Sequence, residues 1–165
     1  MPGDFDDLIE ANTAWRDGFA LGDLTGRPVK GLAVVACMDT RIDPLGALGL
    51  DPGDAKIIRN AGARVTDDVI RSIAIVVANL GVERVAVIAH TDCAMAKLSA
   101  DALRESVAAI ATGDVDDWDP LAVDDQLGTL HEDVERLRRS PLLPDDLAVA
   151  GFVYDVADGS LSPVD

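Results

Sequence analysis

The sequence predicts an α/β protein, a three-layer sandwich in which helices flank a parallel sheet of four strands with one added edge strand. Three observations predict it. Apolar runs of strand length alternate with patterns of helix length, as in strands joined by crossover helices. The strand-like runs are apolar at successive positions, as expected where helices cover both faces of a sheet. The chain has 165 residues, enough for one core and too few for two ordinary domains, so residues 1–165 are read as one domain.

The elements follow in order. Residues 5–21 read as a helix. Residues 32–36, Leu-Ala-Val-Val-Ala, are the first strand. The turn Asp51-Pro52-Gly53-Asp54 presets a bend into a second strand over residues 55–59. A helix over residues 67–80 opens on Thr66 as N-cap, carries Asp67 and Asp68 where the helix dipole favours them, and stops at Gly81. Its apolar positions, Val69, Ile70, Ile73, Ala74, Val76, Val77 and Leu80, wrap most of the circumference, which suggests burial by more than the chain's own sheet and hints at a homo-oligomer. Residues 84–89, Arg-Val-Ala-Val-Ile-Ala, are the third strand, and a helix over residues 94–111 follows. Residues 113–120 form an acidic surface loop, 124–139 a charged helix, and 147–153 the fourth strand. The Asp158-Gly159 turn folds a short last strand back along it.

Charge and composition narrow the function. Fourteen basic residues stand against 30 acidic ones for a net charge of −16, so a nucleic-acid backbone or an anionic membrane would be repelled. General solubility is the simple reading of this acidity; adaptation to a salty cytoplasm is its rival, and predicts a melting temperature that rises toward molar salt. Two cysteines cannot form the multi-bridge framework of small secreted domains. The first ten residues hold Asp4, Asp6 and Asp7 with no basic or apolar leader pattern, and the longest apolar stretch, residues 69–80, is too short to span a bilayer. A cytoplasmic location is expected.

The chemistry concentrates in two runs. Cys37-Met38-Asp39-Thr40-Arg41 follows the first strand, and His90-Thr91-Asp92-Cys93 follows the third. In a parallel sheet both leave the carboxyl edge, and with strand order 2-1-3-4 they flank the topological switch point where such sheets bind ligands. Two thiolates and an imidazole suit Zn²⁺ and leave one tetrahedral position open, which points to catalysis. Cys93 is expected in the first turn of the following helix, where the dipole lowers a thiol's pKa. Asp39 and Arg41, two apart, project to one side of an extended segment as a charge-assisted pair. Asp39 has two available roles, hydrogen-bond acceptor for a zinc-bound water or fourth ligand closing the site. Arg59-Asn60-Ala61-Gly62 follows the second strand at the same edge, and its glycine lets backbone amides approach a small substrate, making Ala61 and Gly62 candidate pocket residues.

Plainer readings exist for each residue alone. Cys37 as a buried small hydrophobe, the two thiols as a redox pair and Asp39–Arg41 as a solvated ion pair are all ordinary. Their joint placement at the ends of alternate strands, beside a histidine, favours metal. His131 on the charged helix reads as a surface residue, and Trp15 and Trp118 as packing or interface anchors. Two histidines cannot build a three-histidine zinc site, and His-Glu-x-x-His, Gly-x-Ser-x-Gly and Gly-rich phosphate loops are absent from the sequence.

Cys37-x-Asp39-x-Arg41, Arg59-Asn60-Ala61-Gly62 and His90-Thr91-Asp92-Cys93 together resemble the β-class carbonic anhydrase family, its short members in particular. The resemblance is close over residues 32–95 and weaker over 151–156 and 159–161. It implies zinc on Cys37, His90 and Cys93, a catalytic dyad of Asp39 and Arg41, and a parallel core of order 2-1-3-4 with an added edge strand. It also implies dimers, or dimers of dimers, in which a helical arm within residues 1–30 packs on the partner. The implied reaction is reversible hydration of carbon dioxide to bicarbonate and a proton by attack of a zinc-bound hydroxide, for which carbonic anhydrase is itself the standard example.

Two departures from the family pattern stand out. Ala94 occupies a position that is usually glycine, so its methyl bears on the pocket. No tryptophan precedes the first motif, which argues against the extra bicarbonate site of larger relatives. Two rival functions share the same centre. One is hydrolysis of carbon disulfide or carbonyl sulfide, which a long narrow tunnel would favour over an open cleft. The other is a non-catalytic zinc or bicarbonate sensor with Asp39 permanently in the fourth position, against which Arg41 argues by offering Asp39 another partner.

Overall fold

A computed structural model describes residues 2–164; the ends of the 1–165 domain, Met1 and Asp165, lie outside the described residues. Five strands, β1 (Leu32–Cys37), β2 (Ala55–Asn60), β3 (Arg84–His90), β4 (Ala148–Tyr154) and β5 (Leu161–Val164), form one sheet in the order β2-β1-β3-β4-β5. The first four are parallel and β5 runs antiparallel along β4, as expected. Gly159, at φ +78, makes the turn between them without strain.

The helices are α1 (Asp6–Arg16), α2 (Pro44–Ala47), α3 (Asp67–Leu80), α4 (Ala100–Ala108) and α5 (Gln126–Arg138). On one face of the sheet, Ala33, Val35, Val85 and Val87 pack with Val69 and Ile73 of α3 and Leu130, Val134 and Leu137 of α5. Val34, Ala36, Ala86 and Ile88 point to the other face, where Leu48 after α2 joins Phe152 and Tyr154. Successive residues of β1 and β3 are therefore buried to opposite sides, which is why these strands read as continuous apolar runs. At Gly151 a Cβ would lie 3.2 Å from Leu130, so glycine lets α5 sit close on β4.

Thr66 caps α3 by accepting from the Val69 amide, and Gly81 ends it in the left-handed conformation, both as expected. Only Val69, Ile70 and Ile73 of α3 are buried by this chain, and Ile75 stays exposed. Three helices differ from expectation. The first is shorter than 5–21, ending before Asp17-Gly18, and none of its residues is buried. The fifth is nearly as expected, one or two residues shorter at each end.

The helix expected over residues 94–111 is broken: a 3₁₀ turn at Ala94–Ala96 precedes α4. Ser99 causes the break by capping the new helix, its hydroxyl accepting from the Ala102 amide, while the Met95 carbonyl is taken by Val123 N–H at 3.0 Å. Cys93 consequently stands before a short 3₁₀ turn and outside any α-helical first turn, so no helix dipole acts on its thiol.

Candidate metal centre

Strands β1 and β3 run one residue further than the sequence suggested, and those residues are Cys37 and His90. Both are fixed at the carboxyl edge of neighbouring parallel strands, with His90 opposite Tyr154 of β4 and Cys37 opposite Asn60 of β2. Cys93 reaches the same point through Thr91 and Asp92. One ligand atom from each of Cys37, His90 and Cys93 lies within 4.8 Å of the others. The three residues are 5, 1 and 4% exposed, and both thiols are free.

The histidine is set for coordination. Its Nδ1–H donates to the Thr91 carbonyl at 2.9 Å, which leaves Nε2 as the acceptor; Nε2 is buried and has no hydrogen-bond partner. A buried polar atom without a partner is costly, and a cation between two thiolates would satisfy it. Burial lowers the His90 pKa, favouring the neutral imidazole that a metal needs. Burial also raises the Cys93 thiol, and the neighbouring Cys37 adds to the rise, so the metal must supply the drive for deprotonation. The donor set fits zinc, with a fourth position left over.

Other parts of the chain hold this set from behind. Gln126, at the start of α5, donates to the His90 carbonyl. The Thr91 hydroxyl donates to Asp155 at 3.2 Å and accepts from Val156 N–H, tying the loop to the end of β4. Arg59 donates to the carbonyls of Cys37 at 2.9 Å and Asp39 at 2.6 Å, fixing the loop after β1.

In front of the donors, Arg41 grips Asp39 bidentately, Nε at 3.0 Å and Nη2 at 2.8 Å, and its backbone amide adds a third bond at 2.9 Å. These bonds, the side-chain ones foremost, hold the Asp39 carboxyl well below the usual carboxylate range. Asp39 Oδ2 lies 4.0 Å from His90 Nε2. The carboxylate thus stands beside the donors while bonded elsewhere.

A cleft of about 460 Å³ opens over these residues, walled by Met38, Ala61, Ala94 and Met95 with Asp39 and Arg41 at its polar side. Ala61 therefore lines the cleft, as does the Ala94 methyl. Gly62 does not: it lines a water-sized crevice behind His90 with Ala63, Gln126 and Asp133. Its φ of +76 and the closeness of Met95, 3.4 Å from a Cβ built there, explain the glycine. His131 is exposed on α5, away from the donors, as expected.

The family model described as carbonic anhydrase matches residues 32–121. The chain belongs to the β-carbonic anhydrase family. Beta-carbonic anhydrase 1 of Mycobacterium tuberculosis is 38% identical over 96% of both chains. A solved carbonic anhydrase from Streptococcus mutans is 40% identical, covers 98% of this chain and 97% of its own, and superposes with a TM-score of 0.91. A carbon disulfide hydrolase of Saccharolobus solfataricus is more distant, 33% identical over 91% of this chain and 85% of its own.

Sequence reasoning placed the five residues of the two motifs together, and the structure does bring them together. It missed the residues that hold them. Asp92 lay inside a quoted motif without a role, although Asp is one of the few side chains that tolerate its left-handed backbone, φ +59. Gln126 gave no sequence signal, and Asp155 lay in the weaker stretch of resemblance, 151–156, without a role; both act across the fold.

Proposed function

We propose that this β-carbonic anhydrase hydrates carbon dioxide reversibly to bicarbonate and a proton, with zinc held by Cys37, His90 and Cys93. The observation that carries the proposal is the buried, unpartnered Nε2 of His90, an imidazole with a ring nitrogen within 4.8 Å of two free thiols. Zinc, when bound there, supplies a Lewis acid that makes water nucleophilic near neutral pH.

The chain's own residues do the rest. Cys37 and Cys93 surrender their protons on loading, and His90 keeps its Nδ1 proton on the Thr91 carbonyl, so Nε2 stays available. Asp39, kept ionised by Arg41, accepts a hydrogen bond from the attacking oxygen and aims its lone pair into the cleft. Met38, Ala61, Ala94 and Met95 offer an apolar wall to an apolar gas. Arg41 also gives Asp39 a partner other than the metal, which supports an active enzyme over a permanently closed sensor.

An open cleft in place of a long tunnel supports carbon dioxide over carbon disulfide. The experiment is metal content and carbon dioxide hydration rate on one purified sample across a range of pH, with carbon disulfide hydrolysis in parallel. Stoichiometric zinc with hydration no faster than buffer would end the assignment, and faster turnover of carbon disulfide would transfer it to the sulfur substrate.

We read the assembly as a homodimer or a dimer of dimers. Helix α1 buries nothing in its own chain, and Phe5, Leu8, Ile9 and Trp15 are exposed. A groove of about 500 Å³ along the amino-terminal edge of the sheet is lined by Leu32, Ala150 and Phe152 beside Arg84 and Arg138, a match for α1 of a second copy with Asp6, Asp7 and Glu10. Leu8→Asp with Ile9→Asp then yields monomers in sedimentation. Two free thiols and the acidic surface support a cytoplasmic location.

A further inference from the structure

Arg41 makes more bonds than its pairing with Asp39 requires. The edge facing away from Asp39 goes to Asp92: Nη1–H donates to Oδ2 at 2.7 Å and Nη2–H to the Asp92 carbonyl at 3.2 Å. The other carboxylate oxygen of Asp92, Oδ1, takes the ammonium of Lys97. These two partners, Lys97 first, hold the Asp92 carboxyl below its usual range. The left-handed backbone at Asp92 lets one residue present its carbonyl and its carboxylate to the same guanidinium.

We propose that Asp92, backed by Lys97, is a positioning residue: it clamps the outer edge of the Arg41 guanidinium and so keeps the Asp39 carboxylate on Arg41 and off the Cys37–His90–Cys93 donor set. The inference rests on the zinc reading above. A half-exposed guanidinium held along one edge can swing, and its carboxylate partner swings with it. Asp39 is already 4.0 Å from His90 Nε2, so a small movement would place it on an ion at the donors. A second acceptor on the opposite edge fixes the guanidinium plane. Lys97 cancels the charge of that acceptor, so Asp92 does not compete with Asp39 for Arg41.

The test uses cobalt(II) in place of zinc, because its visible absorption reports which donors surround it, and titrates thiocyanate into the fourth position. Asp92→Gly removes the clamp at a φ that glycine adopts without strain, and Asp92→Asn keeps the shape and an acceptor oxygen. Asp92→Gly is expected to weaken thiocyanate binding at least about tenfold, with Asp92→Asn in between and Lys97→Met shifted less in the same direction. Adding Asp39→Ala to Asp92→Gly restores the affinity, since the competing carboxylate is gone.

Thiocyanate affinity within about twofold of the parent in a fully cobalt-loaded Asp92→Gly protein would overturn the inference. If that variant fails to fold or load, Asp92→Asn and Lys97→Met are judged by the same limit, and both staying inside it overturns the inference too. A parent protein that takes no cobalt refutes the zinc reading and this inference together. A parent that takes cobalt and thiocyanate leaves the zinc reading standing whatever the Asp92 variants do.

Discussion

Cys37 and His90 are buried, and His90 Nε2 has no polar partner, whereas Asp39 and Asp92, two residues further along the same loops, are more exposed and are bonded through their carboxylates. The inner set consists of soft donors with an orphaned nitrogen among them. The outer set is a chain of alternating charges, Asp39, Arg41, Asp92 and Lys97, complete without any ion. The difference teaches where each half gets its order. Strand ends position Cys37 and His90, and hydrogen bonds, among themselves and from Arg59, position the outer residues.

The largest effect is expected from the inner set. Cys37→Ser or Cys93→Ser replaces a thiolate by a hydroxyl that does not ionise near neutral pH, so bound zinc should fall to trace levels and hydration by more than about 100-fold. Circular dichroism should stay unchanged, since the strand ladders and the Arg59 bonds remain. Metal analysis beside a stopped-flow assay checks both. Full zinc in either serine variant would break the division between the two halves.

Asp39→Asn should come next, and it sharpens the comparison by leaving metal in place. The amide keeps the size of the side chain but gives Arg41 one acceptor in place of two and no charge, and it no longer favours the proton-accepting role. Zinc content should match the parent while kcat/KM for hydration drops by about 100-fold. A variant that lost zinc as well would show Asp39 to be a ligand and merge the two halves into one.

The inner half and the Asp39–Arg41 pair were legible in the sequence, whereas Asp92 and Lys97 as partners of that pair were not, for a physical reason. Parallel strands with both faces covered are continuous apolar runs, so β1 and β3 announce themselves, and residues at their carboxyl ends must converge. Hence Cys37, His90 and Cys93 could be joined without coordinates. The Arg41–Asp92 contact spans two loops, and Gln126 reaches His90 from another helix; neither obeys a period that a sequence displays. The break after Cys93 was visible in principle, because Ser99 is a capping residue inside an otherwise helical run. The exposure of α1 was not legible from its own residues: the apolar excess lay on α3, and only the family resemblance pointed to a helical arm within residues 1–30.

The smallest effect expected is on stability in acid, and it tests the outer half alone, in metal-free protein. Arg41 depresses the Asp39 pKa, so the native state binds fewer protons here than the unfolded chain does. The stabilisation is fully present above the ordinary carboxylate pKa of about 3.9 and is lost as pH falls through that value toward the lower native one. Metal-free Asp39→Asn should therefore melt below the parent at about pH 6, and the gap should begin to narrow below about pH 4 and keep narrowing as the pH falls further. Protonation of carboxylates common to both proteins cancels in the difference. Because Arg41 is exposed to solvent, the gap should also narrow in molar salt. A gap that is constant with both pH and salt would show that the outer residues are held by packing and not by charge, and the contrast with the buried donors would then have to be redrawn.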